Sequence, residues 1–180
     1  ATGTPGAVVG TSSLRRECQL RRAHPRLEFV PLRGNVNTRL AKLDAGEYEA
    51  IILAAAGLRR LGFEDRIRAT INDSIPAIGQ GILAIEFAGG RADLAAVLAP
   101  FEQPQTAQAA RAERAVGLVV EGSCEVPLGA FARVDGARVT LDAFLGLPDG
   151  TLYVREGIEG DAAAAEALGT ELGQRLLEGG

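Results

Sequence analysis

Ala7-Val8-Val9-Gly10-Thr11-Ser12-Ser13-Leu14-Arg15-Arg16-Glu17-Cys18 is the stretch whose reading decides the fold. Ala7, Val8 and Val9 make a short apolar run suited to a buried strand. Thr11, Ser12 and Ser13 follow, and a hydroxyl oxygen there can accept one of the backbone N–H groups that the first turn of a helix leaves unpaired. Leu14, Cys18 and Arg21 then recur at helical spacing. Cys18 shares the apolar face with Leu14 and reads as a small core residue. His24-Pro25 ends the helix, because a residue before proline avoids the helical region. His24 is the only histidine; with no partner acid or ligand beside it in sequence, it reads as a solvated loop residue.

The same alternation continues outward. Residues 27–32 form a second strand, Arg33-Gly34-Asn35 turns out of it, and Val36, Leu40 and Leu43 line a second amphipathic helix that Gly46 closes. Residues 50–56 are continuously apolar, as in a strand covered on both faces, and Gly57 to Gly62 turns into a short helix. Strand, helix, strand, helix, strand predicts a parallel βαβαβ sheet. Ile78-Gly79-Gln80-Gly81 breaks the pattern and suits a hinge. A strand is expected over 82–87 and a short helix over 94–98 ahead of Pro100. A longer helix is expected over 105–120, strands over 129–134, 138–145 and 152–158, and a final helix over 162–177. Asp135-Gly136 and Pro148-Asp149-Gly150 are the turns between those strands. The predicted fold class is α/β: a parallel βαβαβ domain, periplasmic-binding-protein-like, followed by a small α+β domain with a three-stranded antiparallel sheet.

Composition sets bounds. The chain has 180 residues, enough for a medium domain or two small ones, and 47% of them are hydrophobic. With no Trp and no Met, the core has to be built from Ala, Leu, Val and Ile. No apolar run is long enough to cross a bilayer and no signal peptide is visible. Two cysteines far apart give neither a metal site nor a disulfide framework, and a reducing cytoplasm fits best. The first residue is not Met, which we read as processing or truncation. Net charge is −4, yet Lys42 is the only lysine and every other cationic side chain of the Lys/Arg class is arginine. Arginine presents a planar fork that grips a carboxylate or phosphate with two parallel bonds.

The positions of the arginines carry the functional reading. Arg15 and Arg16 follow the first strand, Arg33 and then Arg39 the second, and Arg59 and Arg60 the third. In an open parallel sheet the ligand crevice lies beyond the carboxyl ends of the strands. Helix N-termini add N–H donors and partial positive charge there, and Thr11, Ser12 and Ser13 add hydroxyls. The expectation is an anion site with room for several negative groups. Nucleic acid is a poor match, because the chain is acidic and lacks aromatics interleaved with a basic stripe. Nucleotide is a poor match too, since neither G-x-x-x-x-G-K nor G-x-G-x-x-G follows the first strand.

A second candidate is Gly122-Ser123-Cys124-Glu125-Val126-Pro127-Leu128-Gly129, which sets one cysteine in a tight loop between a helical and a strand pattern. With these residues in hand, the chain closely resembles porphobilinogen deaminases, also called hydroxymethylbilane synthases. The resemblance rests on Val9-Gly10-Thr11-Ser12-Ser13-Leu14-Arg15-Arg16, Leu32-Arg33-Gly34-Asn35-Val36, Thr38-Arg39-Leu40, Gly46-Glu47-Tyr48, Ala54-Ala55-Ala56-Gly57-Leu58, Ile78-Gly79-Gln80-Gly81, Ala112-Glu113-Arg114-Ala115 and the Cys124 loop. These run in order over nearly the whole chain. Ser123 and Glu125 stand where the family more often has Gly and Gln, and they flank the thiol without replacing it.

The resemblance implies a transferase of tetrapyrrole biosynthesis. A dipyrromethane cofactor is covalently attached to the loop cysteine, here Cys124, by a thioether. Four further porphobilinogens are deaminated and added head to tail, and hydroxymethylbilane is released. The family's carboxylate-gripping arginines correspond to Arg15, Arg16, Arg33, Arg39 and Arg60, and Thr11 and Ser13 match positions near the cofactor carboxylates. The chemistry suits these residue types: every pyrrole brings two carboxylates, and a thiolate traps the electrophilic carbon left when ammonia departs. The resemblance also implies a preceding first domain with a catalytic aspartate in a Lys-Asp-Leu-Pro context, which is not found here. On that map residues 1–78 are the second domain, 79–100 a hinge and a segment returning to the first domain, and 101–180 the C-terminal domain with the cysteine. The expectation is a fragment, monomeric as in the family and with little or no activity alone; whether its cofactor is loaded does not follow from the sequence. The competing reading is a non-enzymatic anion-binding module of the solute-binding kind, which has no need of a loop thiol.

Overall fold

The computed structural model describes residues 6–120 and 126–180, which gather into two compact units. The first comprises the described residues up to Ser74 together with Gly146–Tyr153. The second comprises those from Ile75 to Leu145 and from Val154 to Gly180.

In the first unit, β1 (Val8–Thr11), β2 (Glu28–Pro31) and β3 (Ala50–Ile51) form a parallel sheet in the order β2-β1-β3. Val9 pairs with Phe29 on one side and with Ala50 on the other. The connections are α1 (Leu14–Ala23) and α2 (Val36–Asp44), and α3 (Ala55–Arg60) follows β3. Ser13 is the N-cap of α1, its hydroxyl accepting from the Arg16 N–H, and the helix ends before His24, which is exposed. Gly46, at φ 77°, follows the end of α2 and donates to the Leu43 carbonyl at 3.0 Å. Val9, Leu20 and Phe29 form the small core, with Leu27 and Ile52 packed on it. Tyr48 lies across β1 so closely that a Cβ at Gly10 would sit 2.8 Å from its ring.

The apolar run 50–56 departs from expectation. Only Ala50–Ile51 is strand, Ala50 is exposed and Ile51 is half-buried, so the run is not covered on both faces. Two causes combine. Among the described residues β3 pairs only with β1, so it lies at the edge of the described sheet. The run also ends in alanines, which have the strongest helix propensity, and Ala55 and Ala56 begin α3.

The second unit is built from α4 (Ala92–Leu98), α5 (Pro104–Val120), β4 (Leu128–Asp135), β5 (Arg138–Gly146) except its last residue, β6 (Tyr153–Asp161) except its first, and α6 (Ala165–Glu178). The strand order is β4-β5-β6. β4 and β5 pair antiparallel from Leu128 opposite Leu145 to Asp135 opposite Arg138. Alternate strand residues, among them Ala130, Ala132, Val139, Leu141 and Ala143, face α5 and α6 and make the larger core with Ala112, Val116, Leu172 and Leu176. The two helices approach until a Cβ at Gly169 would collide with the Ala112 carbonyl.

The strand expected over 82–87 is not formed. Leu83 is 99% exposed, and Ile85 and Phe87 are also exposed. An extended segment becomes a strand only when a neighbour supplies ladder hydrogen bonds, and none of the described strands does so here. Among the described residues no helix is long and apolar enough to cross a membrane.

Candidate anion site

The β2-β1-β3 order reverses direction at β1. In open α/β sheets such a reversal opens a crevice at the carboxyl ends of the strands. β1 ends at Thr11, and the loop that follows is locked by its own side chains. Thr11 is 2% exposed, and its hydroxyl oxygen accepts from the Ser13 N–H at 3.3 Å. Ser13 Oγ accepts from the Arg16 N–H at 3.4 Å, and the Ser12 hydroxyl donates to the Leu32 carbonyl just beyond β2. Three short polar side chains in sequence therefore fix the direction in which α1 leaves the sheet.

That direction sets Arg15 and Arg16. Arg16 Nη1 donates to the Ile52 carbonyl at 3.3 Å, so this side chain spans from α1 to the residue after β3. Gln19 is buried and donates to the Arg15 carbonyl at 3.1 Å, backing the same turn. Arg39 enters from α2. Its Nε donates to the Gly34 carbonyl at 2.8 Å, and Asn35 caps that helix by accepting from the Thr38 N–H at 2.9 Å. Gly34, at φ 119°, takes a conformation that glycine adopts without strain.

Like charges act on Arg15 and on Arg16 here. Burial, and next the charge of Arg16, pulls Arg15 down to about 10. Burial, and next the charge of Arg39, lowers Arg16. Cations that are desolvated and set beside like charges raise the energy of the site, and an added anion relieves both effects. The arrangement suits a ligand with several carboxylates, each able to take charge-assisted bonds worth roughly 1.5–3 kcal/mol.

The remaining expected site residues are placed differently. Arg33 is exposed on the turn between β2 and α2. Arg60 is exposed in the last turn of α3, at the C-terminal end of that helix and not at its start. Its neighbour Arg59 pairs with Glu64 at 3.2 Å. Cys124 lies outside the described residues. Cys18 is fully buried, and a Cβ at Gly146 would lie 2.7 Å from its sulfur. Burial first, then Asp149 and Glu17, pushes its thiol up to about 11. Sequence reasoning missed the anchor at the Ile52 carbonyl and the backing by Gln19. Gln19 stands four residues after Arg15, the spacing at which side chains meet the preceding turn, and that was the available signal.

Comparison with known proteins agrees along the chain. Residues 1–96 match the family model described as "Porphobilinogen deaminase, dipyromethane cofactor binding domain", and residues 107–178 match "Porphobilinogen deaminase, C-terminal domain". A protein of Thiobacillus denitrificans named porphobilinogen deaminase is 53% identical over 178 residues, covering 98% of this chain and 58% of the relative. Proteins of the same name from Chromobacterium violaceum and Bordetella parapertussis are 51% and 52% identical, over 97% and 98% of this chain and 57% of each relative. The chain thus spans a little over half the length of the curated relatives it matches.

Proposed function

Because the chain belongs to the porphobilinogen deaminase family, we propose that it is the arginine-lined and cysteine-bearing part of a transferase of tetrapyrrole biosynthesis. The whole enzyme condenses four porphobilinogens head to tail into hydroxymethylbilane and releases ammonia. The observation that carries this reading is the trio Arg15, Arg16 and Arg39, with Arg15 and Arg16 desolvated and like charges repelling at the β1 end of the sheet.

The residues present fit the family's cofactor, because a pyrrole bearing acetate and propionate brings negative charge to a cluster of like cations. Cys124 would hold dipyrromethane through a thioether, and the group would supply a fixed end for the growing product. Arg15, Arg16 and Arg39 hold carboxylates, while Thr11 and Ser13 keep the loop beneath them in shape. Arg33 and Arg60 add exposed positive charge for incoming porphobilinogen carboxylates. The chain's own work in this scheme is to bind and orient acidic rings and to hold the growing product through Cys124.

In the same reading, residues 1–78 are a periplasmic-binding-protein-like second domain. Residues 79–100 return to an N-terminal domain like that of the longer relatives, and 101–180 form the C-terminal domain. The exposed apolar side chains of Leu83, Ile85, Phe87 and Val97 support the middle assignment. A cytoplasmic monomer that takes porphobilinogen, and neither nucleic acid nor membrane, completes it.

Two measurements test the proposal. Porphobilinogen titrated into the chain is expected to bind, and Arg16→Leu or Arg39→Leu is expected to weaken binding about tenfold or more through loss of charge-assisted bonds. Equal affinity for a pyrrole without carboxylates would count against the site. In the protein extended to its relatives' length, intact mass after denaturation should show a covalent dipyrromethane increment that Cys124→Ser abolishes. An anion-binding module with no use for the thiol would show no increment.

A further inference from the structure

Glu113, on α5, is buried at 3% exposure, a rare setting for a carboxylate. Its Oε2 accepts from the Gly79 N–H at 2.7 Å and its Oε1 from the Ala132 N–H at 2.9 Å. One side chain therefore joins three separate parts of the second unit. These are the helix that precedes Cys124 in sequence, the strand that follows it, and the turn where the chain leaves for residues 80–91. The residue type is specific to the task. A carboxylate offers acceptors on both oxygens and meets two N–H donors, whereas glutamine would turn an NH2 donor against one of them.

The peptide on the N-terminal side of Gly79 is embedded. Ile75 is 4% exposed. A Cβ at Gly129 would lie 2.8 Å from the Pro76 carbonyl, and one at Gly117 would lie 2.9 Å from Ile78 Cδ1. Gly79 itself stands at φ 69°. Beyond it the embedding stops: Gln80, Gly81 and Leu83 are exposed.

We propose that Glu113 is a positioning residue whose carboxylate latches the Gly79 turn to α5 and β4, so that the freedom of the crossing segment begins at Gly79 and not before it. Any role in turnover rests on the transferase reading. The latch itself does not.

Hydrogen exchange followed residue by residue on this chain decides the matter. In the native protein the Gly79 amide is expected to exchange at least about tenfold more slowly than those of Gly81 and Leu83, as a charge-assisted bond requires. A Gly79 amide as fast as theirs overturns the latch, and this result needs no variant. In Glu113→Gln, exchange at Gly79 or Ala132 should rise about tenfold or more while Val116 and Leu172 keep their rates. Unchanged rates at both amides, or a rise matched at Val116 and Leu172, overturns it. In the protein extended to its relatives' length, Glu113→Gln should lower kcat several-fold and leave KM for porphobilinogen near its native value, since the binding arginines are untouched. A matched rise in KM with kcat preserved overturns the positioning role. No turnover with Glu113 intact instead sinks the transferase reading and leaves the exchange data to judge the latch.

Discussion

Arg15 is where stability and binding pull in opposite directions. Its guanidinium is drawn down to about 10 by burial and by Arg16, so it is still charged at neutral pH, where both effects work against that charge. A base with a depressed folded-state pKa regains stability only as pH rises from about 10 toward its ordinary 12.5. Arg15→Gln is therefore expected to raise Tm at pH 7 by about 1–3 °C while weakening porphobilinogen binding. Thermal melts with and without ligand check both halves, and a lower Tm in the ligand-free variant would mean that the like charges are not what limits the site. Cys18 gives the opposite sign. Burial raises its thiol from 9.0 to about 11, so its contribution is whole below pH 9 and is lost as pH climbs through that interval. At pH 8 in a Cys124→Ser background, an alkylating reagent should modify Cys18 only as fast as the chain opens. Modification faster than the exchange of the Val9 and Leu20 amides would refute the burial argument. Cys18 was legible as core from its spacing to Leu14, although Leu14 itself is 48% exposed. The electrostatic coupling of Arg39 to Arg16 was not legible, because it depends on which helices meet beside β1.

At the scale of elements, packing decides where propensity alone misleads. Alanine in place of glycine inside a helix usually stabilises by about 1 kcal/mol. At Gly57 in α3, nothing lies within 4 Å of the place a methyl would take, so Gly57→Ala should show that gain. Its expected size is about 0.5–1 kcal/mol. At Gly169 in α6 the same change drives a methyl into the Ala112 carbonyl, a backbone atom that cannot swing aside. Gly169→Ala is expected to destabilise by roughly 1–3 kcal/mol despite the helical gain. Urea denaturation of the two variants reads both signs, and a stabilised Gly169→Ala would mean that α5 and α6 are free to separate. The sequence shows glycines four apart at 169 and 173 but does not say which helix they face. Local signals did place the elements bounded by strong chemistry: the Ser13 cap, the stop at His24-Pro25, and the Asp135-Gly136 turn, where Gly136 stands at φ 56°. They failed at 50–56 and 82–87, where an apolar run is equally compatible with strand, helix or extended chain until a partner settles it.

For the molecule as a whole, the segment at 82–87 and the trio of arginines describe one dependence. The arginines lie in a unit with its own sheet and core, so the proposed carboxylate binding is expected of the chain by itself. Turnover in the proposed enzyme needs a group that steadies cationic pyrroles, and the resemblance places it in the N-terminal part of the longer relatives. Porphobilinogen should accordingly bind to the 180-residue chain without being consumed, and ammonia release should appear only when that N-terminal part is supplied. The same addition should bury the side chains now left in solvent. Leu83 at 99% exposure, with Ile85 and Phe87 in alternation, has the period of a strand lacking a neighbour. Supplying the N-terminal part should slow amide exchange across 82–87 by orders of magnitude, as ladder bonds form, while exchange at Val9 and Leu172 stays as it was. Ammonia release by the chain alone would refute the division of labour. Restored turnover with no protection at 82–87 would show instead that the segment joins no sheet, because pairing on even one side protects every other amide of a strand.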